Sequence, residues 1–348
     1  MDIIESIKKR LELNEATAKK FHDIEISILS VLNFQDLCES LLTKISDIFN
    51  IPLVWLSIID DSSVSEYIQS ITGSKILASK TQFLTRKDFI DITGIKTANT
   101  TTNPAPLLFN QNIQRFSQYW PALMDNNIES LAIVPITLDG TIIGSLNFGD
   151  PDLKRFEPGI DTSLLEQLGI KISLCFSNVF AHERLRFLAF HDPLTGLVNR
   201  GVMDRILKRE CERAKRYKTD LCLVFFDLDN FKLINDTYGH DTGDRALIIV
   251  ANVFDNLKRG SDIIARYAGD EFVAILPSTK SFQAKEFAMR FNNKLSQKTI
   301  QSGKHNFNVF TSHGVASLFE NNCETASELL KHADKRLYQA KKFKKNKP

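Results

Sequence analysis

The sequence predicts an α/β (α+β) protein of two domains, a sheet-and-helix unit in each half joined by one long helix. Three observations carry this. The 348 residues exceed what a single ordinary core organises. Stretches of helical and of strand periodicity alternate through both halves. An almost unbroken helical pattern from about Thr162 to His191 separates them. The boundaries read as a leading helix over residues 1–32, a first domain over 33–160, a connecting helix over 161–190 and a second domain over 191–348.

Bulk composition excludes several classes. Hydrophobic residues at 43% and charged residues at 25% are values of a folded globular chain, not of a disordered or fibrous one. With 44 basic and 42 acidic residues the net charge is +2, so neither nucleic acid nor a membrane is expected as the main partner. Cys38, Cys175, Cys211, Cys222 and Cys323 are scattered without CxxC or Cys/His spacing and read as reduced, buried thiols. The start, MDIIESIKKRLELNE, lacks the apolar core of a signal peptide, and no later window is expected to reach the length of a membrane span. A cytoplasmic location is the expectation.

In the first half, Ile4, Ile7, Leu11, Ile24 and Ile28 fall at helical spacing. NFQDLCESLLTKISDIFN repeats the pattern and stops before Pro52, where the strand-like LVWLSIID begins. From about Asp61 to Asn127 the Thr/Asn/Pro-rich composition predicts mainly loops. SLAIVPITL and TIIGSLNFG flank Asp139-Gly140, which suits a two-residue hairpin turn. Within the connecting helix, Leu165, Leu168, Ile172, Cys175 and Val179 form the seam of a two-stranded coiled coil, or equally the face of a helix packed on its own domain.

In the second half, LCLVFFDLDNF is a buried strand whose end carries Asp227 and Asp229 on one face. Two carboxylates closing a buried strand need a positive partner, a divalent metal being the usual one. Capping of the next helix is the competing explanation. FKLINDTYGHDTGDRAL adds Lys232, Asn235 and Asp244 in a helix-loop-helix beside that strand end. Guanine presents an N1 proton beside an exocyclic amine, and Asp244 or Asn235 offers acceptors for that edge, although either one taken alone is better read as a polar residue on a solvated helix or turn. RYAGDEFVAILP is a hairpin with Ala268-Gly269 as its expected turn and Asp270 and Glu271 at its tip.

HDPLTGLVNR, FFDLDNFKLINDTYGHDTGD, RYAGDEF and ADKRLYQAK follow one another in an order and spacing that resemble the GGDEF family of diguanylate cyclases, over about His191 to Asn346. The resemblance implies a nucleotidyl-cyclase-like domain with a central, mainly antiparallel sheet flanked by helices. It implies condensation of two GTP into cyclic di-GMP, with two Mg2+ (or Mn2+) ions per active site and a homodimer that brings two GTP face to face. Residue by residue, it assigns metal ligation to Asp227, the Leu228 carbonyl, Asp270 and Glu271, with Asp270 also the general base. It places Asn235 and Asp244 at guanine, Asn230 and Phe231 beside the substrate, and Lys232, Lys341 and Lys345 near the phosphates.

The same resemblance makes Arg259-Gly260-Ser261-Asp262 an inhibitory RxxD site for product, with Arg290 as a second arginine. Two departures stand out. Ala268 replaces the first signature glycine, where a methyl is expected to strain the turn, and Lys345 replaces an arginine. The alternative is a weak or inactive domain that binds cyclic di-GMP or GTP as an effector. The first half is similar to GAF-type sensory domains over about Asn33 to Phe180, implying an unknown small-molecule ligand held between sheet and loops.

Overall fold

A computed structural model describes residues 2–95, 104–121, 127–303 and 305–345. The expected loop stretch at 97–103 and the side chains of Ile4, Ile7, Leu11 and Lys345 lie outside the described residues. The chain divides into two compact units, residues 1–185 and 186–348.

In the first unit, α1 (Asp2–Leu29) buries Phe21, Ile24 and Ile28. Then α2 (Phe34–Phe49) starts where the Asn33 side chain accepts from the Asp36 N–H. β1 (Leu53–Ile59) leads into two short helices, α3 (Ser65–Gln69) and α4 (Lys75–Lys80), and on to β2 (Thr81–Leu84) and α5 (Arg86–Thr93). After β3 (Leu107–Phe109) a 3₁₀ helix spans Ile113–Tyr119. Among its described residues, the region expected to be mainly loop thus carries three short α-helices, one 3₁₀ helix and two edge strands. Each is too brief for periodicity to separate from loop. β4 (Ser130–Leu138) and β5 (Thr141–Asp150) form the expected hairpin, with Asp139 and Gly140 at φ 49° and 75°.

The sheet order is β2-β1-β5-β4-β3, antiparallel except for β1 with β2. Strand alternation gives it two buried faces. Val54, Leu56, Ile58, Val134 and Leu146 join α1, α2 and the long helix α6 (Ser163–Phe190) in one core. Trp55, Leu131 and Ile133 face the other way, towards Phe116 and Trp120.

The expected coiled-coil seam is corrected here. Leu168, Ile172, Cys175 and Val179 are 0–2% exposed and Leu165 packs beside them, all against the unit's own core, so that stripe has no face left for a second helix. The exposed apolar residues of α6 lie elsewhere, at Ile170, Leu174, Leu185, Leu188 and Phe190. A second expectation also fails: among the described residues α6 is one helix long and apolar enough to cross a bilayer, although its Leu168–Val179 stripe is spent on the core. All five cysteines are free and buried, and burial pushes the Cys38 and Cys222 thiols up to about 12.

In the second unit, β6 (Val198–Asn199) precedes α7 (Arg200–Tyr217), capped by the Asn199 side chain. β7 (Leu221–Leu228) is followed by α8 (Phe231–Tyr238) and α9 (His240–Asp255). The hairpin β8 (Ile263–Ala268) and β9 (Glu271–Pro277) leads to α10 (Ser281–Ser296). A small hairpin, β10 (Thr299–Ser302) with β11 (His305–Asn308), precedes β12 (Thr311–Ser317) and α11 (Ala326–Lys345). The main sheet runs β12-β7-β9-β8-β6 and is antiparallel except for β6 with β8.

Odd and even positions of β7 face opposite layers. Val224 and Phe226 meet α9 and α10, whereas Leu223 and Phe225 meet α7 and α11. Asp227 continues the odd series, so its carboxylate is delivered to the α11 side. α11 comes close because β12 carries Gly314 beneath it. A Cβ on Gly314 would stand 2.1 Å from the Ala333 carbonyl oxygen and 2.3 Å from the Leu337 nitrogen, both backbone atoms that cannot swing aside. Gly314→Ala is therefore expected to lift α11 and to cost about 2–4 kcal/mol in urea unfolding, well above the effect of a surface Gly→Ala change.

Candidate active site

Strand β7 ends in a charged corner. Lys341 on α11 pairs with Asp227 Oδ2, and one helical turn further Lys344 Nζ lies 2.6 Å from Asp229 Oδ2 and 3.1 Å from the Thr311 carbonyl. The match of two periods explains this: Asp227 and Asp229 project to one side two residues apart, and positions three apart on a helix share a face. Asp229 also accepts from Ser312 Oγ at 2.6 Å. Neither carboxylate serves as a side-chain cap of α8, whose N-cap is Asn230 in the left-handed region at φ 59°.

The signature turn closes the corner from the other side. Glu271 is the direct cross-strand partner of Asp227, so their carboxylates share a face. The Leu228 N–H donates to the Asp270 carbonyl at 3.2 Å, which ties the turn to the end of β7. Arg266 donates from Nε to the Gly269 carbonyl at 2.8 Å and from Nη1 to Asp192 at 3.0 Å, so one guanidinium braces the turn against the HDPLTG loop.

Two expectations about the turn are corrected. The turn residues are Gly269 and Asp270, because Ala268 is still in β8 and pairs with Glu271 across a register shift. The left-handed residue is Gly269, at φ 50°, while Ala268 is an exposed strand residue outside that region. The strain expected of the alanine methyl is therefore absent from the backbone.

Asp227, Leu228, Asp229, Asn230, Phe231, Lys232, Asp270, Ser312, Lys341 and Lys344 line a cavity of about 560 Å³. That is within the usual range for small-molecule sites. Glu271 stands outside its lining and Asn235 and Asp244 lie on the α8–α9 corner beyond it. There Gly243 permits close approach: a Cβ at this position would stand 1.9 Å from Asn235 Oδ1. That oxygen is a buried acceptor without a hydrogen-bond partner, while Asp244 is exposed.

Electrostatics fit a divalent cation. Burial pushes the Asp227 carboxyl above its ordinary range, with Asp270 and Asp229 adding repulsion that Lys341 only partly offsets. Glu271 is raised by burial and by Asp227, Asp270 and Asp334. Asp227 Oδ1 is buried without a hydrogen-bond partner. Among the described residues no three His, Cys, Asp or Glu side chains already converge in ligating geometry, so a metal would draw on carboxylates together with backbone oxygen.

The RxxD segment is a tight turn. The Arg259 N–H donates to Asp262 Oδ2 at 2.9 Å and the Asp262 N–H to the Arg259 carbonyl at 3.0 Å. The Arg259 side chain is exposed and makes no salt bridge with Asp262, and no hydrogen bond or ion pair among the described residues joins Arg290 on α10 to this turn. Sequence reasoning missed Lys344, Ser312 and Arg266. The i,i+3 spacing from Lys341 to Lys344 was the available signal for the first, and the motif residue Asp192, which lacked a partner, for the last.

Two measurements follow. Raised carboxyl pKa values mean that the folded state resists ionisation here, so stability is greatest while these groups hold protons and falls as pH rises through their raised range. A bound cation reverses that loss. Mg2+ at ten times its dissociation constant is expected to add about 1.4 kcal/mol, roughly 2–4 °C in melting temperature, near pH 8 and clearly less near pH 5. Lys344→Met is expected to weaken binding of inorganic triphosphate at this cavity by about tenfold in calorimetry, as loss of one charge-assisted contact does.

Residues 189–347 match the family model described as diguanylate cyclase, GGDEF domain. The chain is 37% identical over 161 residues to the cyclic di-GMP phosphodiesterase NbdA of Pseudomonas aeruginosa, covering 46% of this chain and 20% of that protein. It is 35% identical over 164 residues to the probable diguanylate cyclase DgcC of Escherichia coli, covering 47% and 44%. It thus spans less than half the length of either curated relative. The GGDEF domain of DgcB from Caulobacter crescentus, solved in complex with c-di-GMP, is 31% identical, over 44% of this chain and 88% of that one, with a TM-score of 0.42. Over residues 189–347, a little under half of its length, the chain thus resembles the GGDEF domain of diguanylate cyclases.

Proposed function

We propose that the protein is a diguanylate cyclase that condenses two GTP into cyclic di-GMP and two pyrophosphates. One observation carries the reading: three carboxylates, Asp227, Asp229 and Asp270, and three ammonium groups, Lys232, Lys341 and Lys344, surround one cavity at the end of β7. Acids that hold cations, beside lysines that hold phosphates, are what phosphoryl transfer at a nucleoside triphosphate needs.

In each half-reaction a 3′-hydroxyl oxygen bonds to the α-phosphorus of the facing GTP, and the bond from that phosphorus to the bridging oxygen breaks. Pyrophosphate leaves with the bond electrons. Asp270 takes the hydroxyl proton. Lys341, Lys344 and Lys232 carry the phosphate charge, Lys341 exchanging its resting partner Asp227 for substrate. Asn235 Oδ1, a buried acceptor without a partner, receives the guanine N–H donors, with Asp244 beside it. Mg2+ or Mn2+, when held by Asp227, the Leu228 carbonyl, Asp270 and Glu271, would polarise the α-phosphate and neutralise the departing pyrophosphate.

Two identical bonds form, so two copies must face each other and the working form is a homodimer. The exposed apolar residues Ile170, Leu174, Leu185 and Leu188 of α6 support a helix-mediated contact through that stripe rather than through the buried one. The unpaired Arg259 guanidinium is available to bind product at an inhibitory site, with Asp262 shaping its turn. The first unit is read as a GAF-like sensor. Cytoplasmic GTP is the substrate pool. The effector alternative drew its weight from Ala268, and it loses that weight because the residue is an unstrained, exposed strand position.

The test is the full chain with GTP and Mg2+, product being identified by chromatography and mass spectrometry. Wild type is expected to form cyclic di-GMP, and Asp270→Asn to lower the rate at least 10²-fold while still binding GTP. GTP binding without product, in an Arg259→Ala background that removes product inhibition, would reject the cyclase in favour of an effector.

A further inference from the structure

A second cavity of the second unit, about 540 Å³, opens between α7 and the start of α11 and shares no lining residue with the charged corner. Positions 200, 204, 208, 211 and 215 of α7 are three or four apart, so they form one flank of the helix and one wall of the cavity. Ala326, Ser327 and Leu330 of α11 form the other. The floor is apolar. Leu207 and Cys211 are 2% and 4% exposed and belong, with half-buried Leu330, to the core beneath. At one end Lys215 Nζ donates to the Glu324 carbonyl, which ties α7 to the loop before α11. At the other, the pairing of Asn199 with Arg266 brings the next residues, Arg200 and Tyr267, together. The Arg200 guanidinium carbon lies 4.3 Å from the Tyr267 ring centroid, and that ring is itself packed on Phe225 at 5.1 Å.

Among the described residues Arg200 has no carboxylate or carbonyl partner, although Asp204 stands one helical turn away. A guanidinium laid flat on an aromatic ring keeps the N–H donors at its edge free. Such a fork takes a carboxylate through two parallel hydrogen bonds. The cations of the lining, Arg200, Lys208 and Lys215, are matched in number by the acids Asp204, Glu212 and Glu324. A polyanion would meet those acids, so the site suits a single negative charge.

We infer that this cavity binds a free fatty acid of medium chain length, its carboxylate on Arg200 and its alkyl chain along Leu207, Cys211 and Leu330. From Arg200 to Cys211 the helix rises by about 16 Å, which is the length of floor open to a straight chain. Burial of the methylenes supplies affinity, and the ion pair sets orientation. An aromatic acid is set aside because Tyr267, the one aromatic side chain among the described lining residues, already carries the guanidinium on its face. A bilayer of anionic lipid is set aside as the source, because Asp204, Glu212 and Glu324 would face its headgroups.

The inference does not rest on the cyclase reading, and its test uses no GTP turnover. Calorimetric titration of the full chain with decanoate, kept below its micellar range, is expected to show saturable binding. Octanoate, with two fewer methylenes to bury, is expected to bind about tenfold more weakly. 1-Decanol keeps the chain but loses the charge, and is also expected to bind about tenfold more weakly than decanoate. Arg200→Gln is expected to weaken decanoate about tenfold and to leave 1-decanol unchanged, a split that a merely structural defect would not produce. Ser327→Trp, at an exposed position on the α11 wall, fills the groove and is expected to abolish binding of both. The inference is overturned if decanoate does not saturate, if 1-decanol binds as tightly, if both variants bind decanoate like wild type, or if GTP displaces it. Capture by phosphatidylglycerol vesicles in place of decanoate would also overturn it. Should one variant fail to fold, the decanoate–decanol comparison and the other variant decide.

Discussion

The end of β7 is where the protein accepts an electrostatic cost. Asp227 is 6% exposed, with Asp229, Asp270 and Glu271 close by, and burial and mutual repulsion both resist its ionisation. Lysines on α11 compensate in the resting protein, and they can do so only because Gly314 lets that helix lie directly on β12. The closeness of α11, the pairing of Lys341 and Lys344 with successive odd-numbered acids, and the shape of the cavity all follow from that single contact. A corner held together by exchangeable ion pairs suits a ligand that brings both cations and phosphates, since each resting pair can be replaced without leaving a bare buried charge.

The two units treat polar groups in strand interiors in opposite ways. In the second unit polar groups collect at the strand end, where the cavity reaches solvent and charge can be exchanged. In the first unit Ser57, Ser145 and Asn147 sit mid-sheet, bonded to one another and shielded by aromatic side chains. A charged corner fits a multiply charged substrate.

Much of the second unit was legible in sequence because its logic is local. The odd–even alternation of LCLVFFDLDNF placed Asp227 and Asp229 on one face, and the structure finds both there, facing α11. Asp139-Gly140 announced its hairpin through the φ values it alone tolerates. The signature turn was misplaced by one residue, because a register shift between Arg266 and Ala268 moves the turn to Gly269 and Asp270, and no pattern of residue types records a bulge. Lys344 was missed because tail lysines are alike in composition and differ only in helical phase.

By itself the sequence determined the alternation of elements, the acids at the end of β7 and the hairpin tip that meets them, since periods of 2 and 3.6 residues and turn chemistry are properties of neighbours along the chain. Tertiary structure alone decided which apolar stripe of α6 is buried, which lysines meet which carboxylates, and that Ala268 is unstrained. Two stripes on one helix satisfy the same periodicity, and only the surface that packs against it selects between them.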